Sequence, residues 1–278
     1  PLVEHADIWR AKSGEDVGWT ELTQITNKEG EISDLAVRPE MTPTVTRMAA
    51  KKWNELPKPV RRFSIANFYR NERPQRWRNR EFRQLNLDLF GEESLQADLE
   101  ILQMAVEIML AFTPPKDSFI LNVNNRYLID AFLLEEVKLT EEGKIQAIRL
   151  MDKWDKLPEA KFIEALKELS LTSDDIIKIV SFMKMETVDQ VLRQFSTLQS
   201  NKWVAELAEI IEQMKLLGYS EYIQFKPSLM RGFDYYDGMV FEVFDLHPDN
   251  SRALFGGGRY NGLADIFWAS SFPAVWCA

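Results

Sequence analysis

The stretch "FYRNERPQRWRNREFRQLNLDLFG", residues 68–91, joins an arginine-rich segment to a strand of strictly alternating character. Its last part places polar Gln84, Asn86 and Asp88 at every second position, with a leucine between each pair. Because successive side chains of a strand point to opposite faces, the three polar side chains share one face of a sheet. The stretch therefore predicts a strand, a long polar turn and a second strand with one polar face.

Six arginines precede and enter that second strand, accompanied by only two acids. They are Arg70, Arg73, Arg76, Arg78, Arg80 and Arg83. A solvated surface is the ordinary interpretation of such a charge run. The polar strand face favours a second interpretation, a pocket that binds phosphate at one end and a polar head group at the other, since guanidinium groups bind phosphate oxygens bidentately.

The composition is that of a globular protein: 278 residues, 45% of them hydrophobic, with a net charge of −9. No apolar run approaches the roughly 20 residues needed to cross a bilayer, and the first residues lack the regions of a signal peptide, so we expect a cytoplasmic protein without a membrane segment. The acidic balance argues against a protein coated in nucleic acid. Since Cys277 is the single cysteine and the chain has two histidines, His5 and His247, we expect no disulfide and no protein-bound metal centre.

Strand and helix signals divide the chain into a split β-rich body and a helical middle. Alternating patterns predict strands at "FSIANFY", "QLNLDLF", "FILNV", "YIQF", "MVFEVF" and "FPAV". Helical spacing from Ala97 puts Ile101, Ala105 and Phe112 on one face and ends at Pro114.

From about residue 125 to 218 the composition shifts to Lys, Glu, Leu and Ile with helical spacing. Pro158 suits a first helical turn, Ser173 an N-cap and Gly218 a C-terminal stop. We therefore expect an α+β protein in which a helical insertion interrupts a sheet.

Four blocks of the sequence together resemble one enzyme family. Residues 68–91 resemble motif 2 of class II aminoacyl-tRNA synthetases, in which an arginine and a nearby acid precede a loop and Arg-x-x-x-Phe. "LAVRPEMTPTVTR", residues 35–47, resembles the Leu-x-x-Arg-Pro-Glu-x-Thr block of histidyl-tRNA synthetases. "RGFDYYDGMVFE", residues 231–242, and "GGGRYNGLA", residues 256–264, resemble the two histidine-specific motifs of that family. The blocks stand in the family's order and span nearly the whole chain.

The resemblance implies an α+β fold with a class II synthetase-like antiparallel sheet flanked by helices. Residues 1–124 and 219–278 would form a split catalytic domain, and residues 125–218 a helical insertion domain. The family's motif 3 and anticodon-binding domain would follow Ala278, and a dimer helix would precede Pro1. We therefore expect a catalytic-domain fragment that lacks motif 3 and the anticodon-binding domain.

The resemblance also implies the reaction, in which histidine and ATP form histidyl-adenylate and the histidyl group passes to tRNA(His). Two anions, a carboxylate and the α-phosphate, meet only when positive groups surround them, so catalysis is mainly positioning and charge stabilisation. Magnesium would accompany ATP, bound mostly through phosphate oxygens. Members are homodimers, and their helical insertion contacts the acceptor arm of the tRNA.

For ATP, the resemblance implies four positions in residues 68–91 and one distant arginine. Arg70 would hold the α-phosphate and the amino-acid carboxylate, and Arg78 would reach the γ-phosphate. Glu72 would contact adenine, and Phe82 would stack on it. Arg231 would stabilise the charge that develops during attack, so Arg70 and Arg231 are the expected catalytic residues.

For histidine, the resemblance implies seven residues: Glu40, Thr42, Gln84, Asp88, Arg231, Tyr236 and Tyr260. Neutral imidazole offers one donor and one acceptor nitrogen, so its recognition needs an acceptor and a complementary partner. Asp88 would be the acceptor and Tyr236 the partner, with Tyr260 closing the pocket. Glu40, Thr42 and Gln84 would bind the α-amino group, although Glu40 and Thr42 also suit a capping pair at a helix start. By alternation from Val240 and Glu242, Tyr236 faces this pocket and Tyr235 the core.

Three tryptophans and a glycine run depart from simple expectations. Trp77, Trp268 and Trp276 stand where the family usually carries glycine, and such side chains should fill space beside a ligand. The run Gly256 to Gly258 is more typical of a turn than of a phosphate cradle.

Two further interpretations stay open at this point. A non-catalytic relative of the same fold, such as the regulatory subunit of ATP phosphoribosyltransferase or the sensor domain of a stress kinase, would keep the architecture without the reaction. A general RNA-binding fold would use the arginines for salt-sensitive binding without a response to histidine or ATP. The charged residues retained at the motif positions favour the enzyme.

Overall fold

The computed structural model describes residues 1–10, 22–74, 79–169, 171–230, 236–250, 252–267 and 271–278. Within it the chain forms two compact units. Unit 1 comprises Pro1–Ala97, Gly232–Asp237 and Arg259–Ala278, and unit 2 comprises Asp98–Arg231 and Gly238–Gly258.

The elements follow the α+β expectation, with strands at both ends of the chain and helices between them. The strands are β1 (Val3–His5), β2 (Thr23–Thr26), β3 (Ile32–Val37), β4 (Val60–Tyr69), β5 (Glu81–Phe90), β6 (Phe119–Asn125), β7 (Ile223–Phe225), β8 (Met239–Asp245), β9 (Ala253–Arg259) and β10 (Ala274–Cys277). The α-helices described from end to end are α1 (Thr42–Lys51), α2 (Leu95–Ala111), α3 (Arg126–Ala131), α4 (Glu141–Met151), α5 (Glu159–Glu168), α6 (Ser173–Met183), α7 (Val188–Gln194) and α8 (Lys202–Met214). Each strand predicted from alternation is observed, and the α+β class with a mainly antiparallel sheet flanked by helices is confirmed.

Unit 1 contains two sets of antiparallel strands, in the orders β1-β3-β2 and β4-β5-β10. In the second set Ser64 lies opposite Asn86, and Asp88 lies opposite Trp276 on the other side of β5. Directly opposed residues share a face, so these four side chains belong to one face of the sheet.

Gly91 fixes the end of β5. Its φ of +83° lies in the left-handed region, and a Cβ there would meet Lys58 Cγ at 2.8 Å and Trp53 at 2.9 Å. Glycine alone fits this position without strain. The Gly91 N–H also donates to Pro273 O at 2.7 Å, which ties the end of β5 to the segment before β10.

Unit 2 has the strand order β9-β8-β6-β7, in which β6 and β7 are parallel and the other pairs antiparallel. The turn expected for Gly256 to Gly258 is wrong, because these glycines lie within β9 and pair with β8 from Val240 to Glu242. An antiparallel partner supplies their backbone hydrogen bonds, and this long-range pairing outweighs the low strand propensity of glycine.

Side-chain caps start most helices of unit 2. Thr172 and Thr187 form capping boxes with Asp175 and Gln190, and Asn201 accepts hydrogen bonds from the first turn of α8. The N-cap predicted at Ser173 therefore lies one residue too late. Pro158 is the N-cap of α5 rather than a first-turn residue, and Gly218 follows α8 in a π-helical turn with a φ of +92°.

The helical part of unit 2 is held by an aromatic core. Phe132 is fully buried and stacks on Phe182 with ring centroids 4.2 Å apart, and it contacts Phe195 at 5.1 Å. The prediction that Phe112 lies on the buried face of α2 is wrong, because the helix ends at Ala111 and this side chain is 78% exposed.

Among the described residues, no helix has the length and apolar character needed to cross a membrane. The sequence-based division into residues 1–124 with 219–278, and 125–218, stays a prediction.

Candidate active site

The polar face predicted for β5 is present and largely buried. Asn86 is fully buried and Asp88 is 3% exposed, and Gln84 lies opposite Ala66 on the same face. Gln84 Oε1 and both amide atoms of Asn86 are buried and have no hydrogen-bond partner in the described part of the chain. Ser64 Oγ, directly opposite Asn86, is in the same condition. Buried polar atoms are nearly always hydrogen-bonded, so this face has the chemistry of a site awaiting a ligand or ordered water.

Asp88 and Tyr260 form the best-defined contact of the site. The fully buried Tyr260 donates its hydroxyl hydrogen to Asp88 Oδ1 at 3.0 Å. Burial and the nearby Asp88 charge raise the pKa of Tyr260 well above its usual value. The phenol therefore stays protonated across the physiological range and remains a donor to the carboxylate.

Tyr236 and Trp276 form an aromatic pair, and Trp276 lies opposite Asp88 in the sheet. Their rings are nearly parallel, with an interplanar angle of 11° and centroids 6.4 Å apart, and both side chains are 4% exposed. The register places Trp276 opposite Asp88, so the indole lies on the polar face of β5. Strand β8 starts at Met239, so alternation along a strand does not determine the direction of Tyr236.

Asp237 and Arg259, to which the sequence analysis gave no role, position the neighbouring Tyr236 and Tyr260. The Asp237 carboxylate accepts from the Asn261 N–H at 2.9 and 3.0 Å, and the Asp237 N–H donates to Arg259 O. Burial raises the pKa of Asp237, partly offset by the hydrogen bond from Asn261. The Arg259 guanidinium donates to Glu92 O at 3.3 Å and Ser94 O at 3.0 Å. Their place in the sequence could have identified them, because Asp237 directly follows one site tyrosine and Arg259 directly precedes the other.

Arg70 and Phe82 lie together at the far end of the same strand pair. The Arg70 guanidinium carbon lies 5.1 Å from the centre of the Phe82 ring, and its Nε donates to Pro39 O at 3.1 Å. Arg70 Nη1 lies 3.9 Å from Glu72 Oε1. Phe82 and Asp88 share the polar face and are six residues apart, which is about 20 Å along a strand. A positive, aromatic end and a carboxylate end thus face the same side of β5.

Helix α1 brings Glu40 and Thr42 into the buried part of unit 1, where they are 4% and 0% exposed. The alternative that Thr42 caps the helix is wrong. The N-cap is Met41, Thr42 is the first helical residue, and Thr42 Oγ1 has no hydrogen-bond partner in the described part of the chain. Pro43 occupies the first turn, where the absence of its N–H costs nothing.

Several predicted residues lie outside the described ranges. They are Trp77, Arg78, Arg231, Tyr235 and Trp268. The expected meeting of Arg70 and Arg231 at one phosphate stays a prediction.

Magnesium can be considered against the side chains that are described. Among these, no three Asp, Glu, His or Cys residues are grouped so that they could hold a metal ion. Mg²⁺ usually keeps several waters and takes few protein ligands when it binds with a nucleotide.

Solved structures define the class of the fold. One described as "an ATP phosphoribosyltransferase regulatory subunit/histidyl-tRNA synthetase" from Bacillus halodurans C aligns with a TM-score of 0.84 and 22% identity, covering 100% of this chain and 70% of that one. A histidyl-tRNA synthetase from Nostoc sp. PCC 7120 aligns with a TM-score of 0.82 and 22% identity, covering 100% of this chain and 63% of that one. At this identity the likeness shows the fold, which is that of histidyl-tRNA synthetase-like proteins.

Sequence comparison gives the family. The family model for histidyl-tRNA synthetase matches residues 1–276. The histidine-tRNA ligase of Leptospira biflexa serovar Patoc is 41% identical over 268 residues, which are 96% of this chain and 60% of the relative. That of Thermococcus kodakarensis is 31% identical over 280 residues, 99% of this chain and 62% of the relative. The chain belongs to the histidyl-tRNA synthetase family, and it spans about three-fifths of the length of these curated relatives.

Proposed function

We propose that this chain activates histidine with ATP to form histidyl-adenylate and serves transfer of the histidyl group to tRNA(His). The observation that carries the proposal is the polar face of β5. It bears the Asp88–Tyr260 pair at one end and Phe82 with Arg70 at the other. The separation of about 20 Å suits an amino acid joined to a nucleotide, since each of six residues adds roughly 3.4 Å.

The amino-acid end selects by charge and hydrogen bonding. The Asp88 carboxylate, held by the Tyr260 hydroxyl at 3.0 Å, accepts a ring N–H of histidine. Tyr236 meets the other ring nitrogen. Glu40, Thr42 and Gln84 bind the α-ammonium group, for which the unpartnered Gln84 Oε1 is a suitable acceptor.

At the nucleotide end, Arg70 holds the α-phosphate and the carboxylate of the amino acid. The backbone acceptor Pro39 O holds its Nε, and its terminal nitrogens, of which Nη1 lies 3.9 Å from Glu72 Oε1, bind the anionic groups of the substrates. Phe82 stacks on adenine, Glu72 contacts it, Arg78 reaches the γ-phosphate and Arg231 stabilises charge during attack. When bound, Mg²⁺ neutralises phosphate charge, and the protein groups orient the reacting atoms.

Cellular context and partners follow from the family. The reaction belongs in the cytoplasm, and the helices between residues 125 and 218 contact the tRNA acceptor arm. A second copy of the chain forms a homodimer. The apolar side chains Phe63 and Ile65 of β4 are 74% and 62% exposed, and they alternate with Ser64 along the strand. They support an interface on the sheet face opposite the polar one.

Histidine-dependent exchange of pyrophosphate into ATP tests the proposal with the chain itself. The substitution Arg70→Lys removes the two-pronged guanidinium while keeping the charge, and we expect the exchange rate to fall about 100-fold. Arg83→Lys is the matched control, because Arg83 is an exposed residue on the opposite face of β5, and its rate should stay near wild type. Equal rates in the two variants would remove Arg70 from catalysis.

A second function is favoured by the name of the Bacillus halodurans structure, which includes a regulatory subunit of ATP phosphoribosyltransferase. Such a protein would bind histidine and show no pyrophosphate exchange. Calorimetric binding of histidine without exchange would therefore select the regulatory function over the ligase.

A further inference from the structure

The strongest unexplained feature of unit 1 is the condition of Asn86. Its side chain is fully buried in the middle of β5, and neither Oδ1 nor Nδ2 has a hydrogen-bond partner in the described part of the chain. A buried amide with both groups unpaired is costly, since each lost hydrogen bond leaves an uncompensated desolvation penalty. A residue in this condition indicates a site that a ligand or water completes.

The neighbours of Asn86 define which ligand group fits. Gln84 and Asp88 flank it on the same face, and Ser64 lies directly opposite with a buried hydroxyl that has no partner in the part of the chain that the structure describes. A carboxylate would be repelled by Asp88, and an ammonium group, which can only donate, would use Asp88 but not the Asn86 Nδ2 donor. A neutral imidazole both donates and accepts, which matches an amide beside a carboxylate.

We infer that Asn86 is a further histidine-binding residue, which reads the imidazole ring together with Asp88. This inference rests on the proposed function. Asp88 accepts the ring N–H, and Asn86 Nδ2 donates to the other ring nitrogen, whose one lone pair it shares with the Tyr236 hydroxyl in a bifurcated hydrogen bond. Ser64 extends the polar floor and bonds the remaining amide atom when the ligand has fixed its orientation.

Unit 2 offers a matched control for substitution of a buried asparagine. Asn124 is also fully buried, but its Nδ2 donates to Pro227 O at 3.2 Å and Leu229 O at 3.3 Å. Leucine has the same number of side-chain heavy atoms as asparagine and the same branch point, and it removes both polar groups. Asn86→Leu should therefore leave unliganded stability unchanged or raise the unfolding midpoint, whereas Asn124→Leu should lower it, because only the second loses hydrogen bonds.

The decisive experiment measures ligand preference in the 278-residue chain. Isothermal titration gives the Kd of histidine and of β-(2-thienyl)alanine, whose five-membered ring carries no nitrogen. We expect Asn86→Leu to weaken histidine binding about tenfold or more and to leave thienylalanine binding nearly unchanged, so the preference for histidine falls by the same factor. Asn124→Leu should keep the wild-type preference, and Asn86→Ser provides a smaller variant if leucine prevents folding.

Each outcome has a distinct meaning. A wild-type preference retained in the Asn86 variants overturns this inference and leaves the proposed function intact. If the Asn86 variants are less stable but keep the wild-type preference for histidine over thienylalanine, Asn86 binds a structural water, and the inference is also overturned. Failure of the wild-type chain to bind histidine overturns the inference and the proposed function together.

Discussion

The polar face of unit 1 and the interior of unit 2 differ in whether their buried polar groups are hydrogen-bonded. On the polar face that β4 and β5 share, Ser64 Oγ, Gln84 Oε1 and both amide atoms of Asn86 have no hydrogen-bond partner among the described residues. In unit 2, the buried Asn124 donates to two backbone carbonyls. In the described part of unit 2, the buried side-chain atom that lacks a hydrogen bond is Asp130 Oδ1, and it lies 3.5 Å from Lys144 Nζ in an ion pair. Unit 2 is satisfied by its own contacts, whereas unit 1 leaves hydrogen-bonding capacity for something else. The difference supports unit 1 as the location of the proposed site.

The largest effect should come from breaking the core of unit 2. Phe132→Ala removes a fully buried ring that contacts Phe182 and Phe195, and we expect a loss of about 3–5 kcal/mol of unfolding free energy. Phe112→Ala is the control, since that ring is 78% exposed, and its effect should stay within about 0.5 kcal/mol. Denaturant titration of both variants gives the values. A small loss in the Phe132 variant would show that this stack contributes little to stability.

A smaller effect, on binding, should follow from opening the polar face. The Trp276 indole lies opposite Asp88 and parallel to the Tyr236 ring, where it occupies volume beside the carboxylate. We expect Trp276→Ala to raise histidine affinity about tenfold, or about 1.4 kcal/mol, because the freed space admits the ligand ring.

Trp53→Ala is the control for the indole. Trp53 stacks on Phe272 at 4.0 Å, and its removal should lower stability without changing histidine affinity. Titration calorimetry separates the two variants. Weaker histidine binding in the Trp276 variant would mean that the indole is a wall of the pocket which contacts the ligand.

The smallest effect concerns acid stability at the start of β5. Glu81 Oε1 accepts from Tyr69 Oη at 2.7 Å and Asn67 Nδ2 at 2.8 Å, and these hydrogen bonds lower the pKa of Glu81 below its usual value. A carboxyl with a lowered folded pKa adds stability above its unfolded pKa, and this stability is lost as pH falls through the folded pKa. Glu81→Gln should therefore unfold at a slightly lower temperature than wild type at pH 7, and the difference should disappear in acid.

Glu164→Gln serves as the reference for that pH series, because Glu164 is an exposed residue of α5. Thermal unfolding between pH 7 and pH 3 should show no pH-dependent difference between this variant and wild type. If Glu81→Gln still unfolds at a lower temperature than wild type in acid, the effect comes from the altered side-chain shape and not from the lost carboxylate charge.

Much of the fold was predictable because strands and helices carry local patterns. The alternation of Gln84, Asn86 and Asp88 gave the face of β5, and the register with β4 agrees with it. Helix ends were less predictable, since neighbouring Thr172 and Ser173 are equally good caps by type and only the backbone turn selects Thr172. Gly256 to Gly258 were misjudged, because a local turn signal says nothing about a distant partner strand.

The site was predictable in part. The resemblance proposed Asp88 and Tyr260 from separate motifs, and they lie in hydrogen-bond contact although 172 residues separate them. Asp237 and Arg259 were missed because their roles depend on backbone groups that sequence patterns do not identify. Asn86 was seen on the polar face, but its unpaired amide becomes visible only when every neighbour is placed.

The sequence by itself determined six of the strands, the helical middle of the chain, the polar face of β5 and the family, because periodicity and short motifs are properties of neighbouring residues. The tertiary structure decided which polar groups are paired and which are left open. It set Tyr260 against Asp88 and Trp276 across from it, and it buried Asn86 with no hydrogen-bond partner among the described residues. The physical reason is that hydrogen-bond satisfaction is a property of contacts between distant segments, which packing creates and local sequence does not encode.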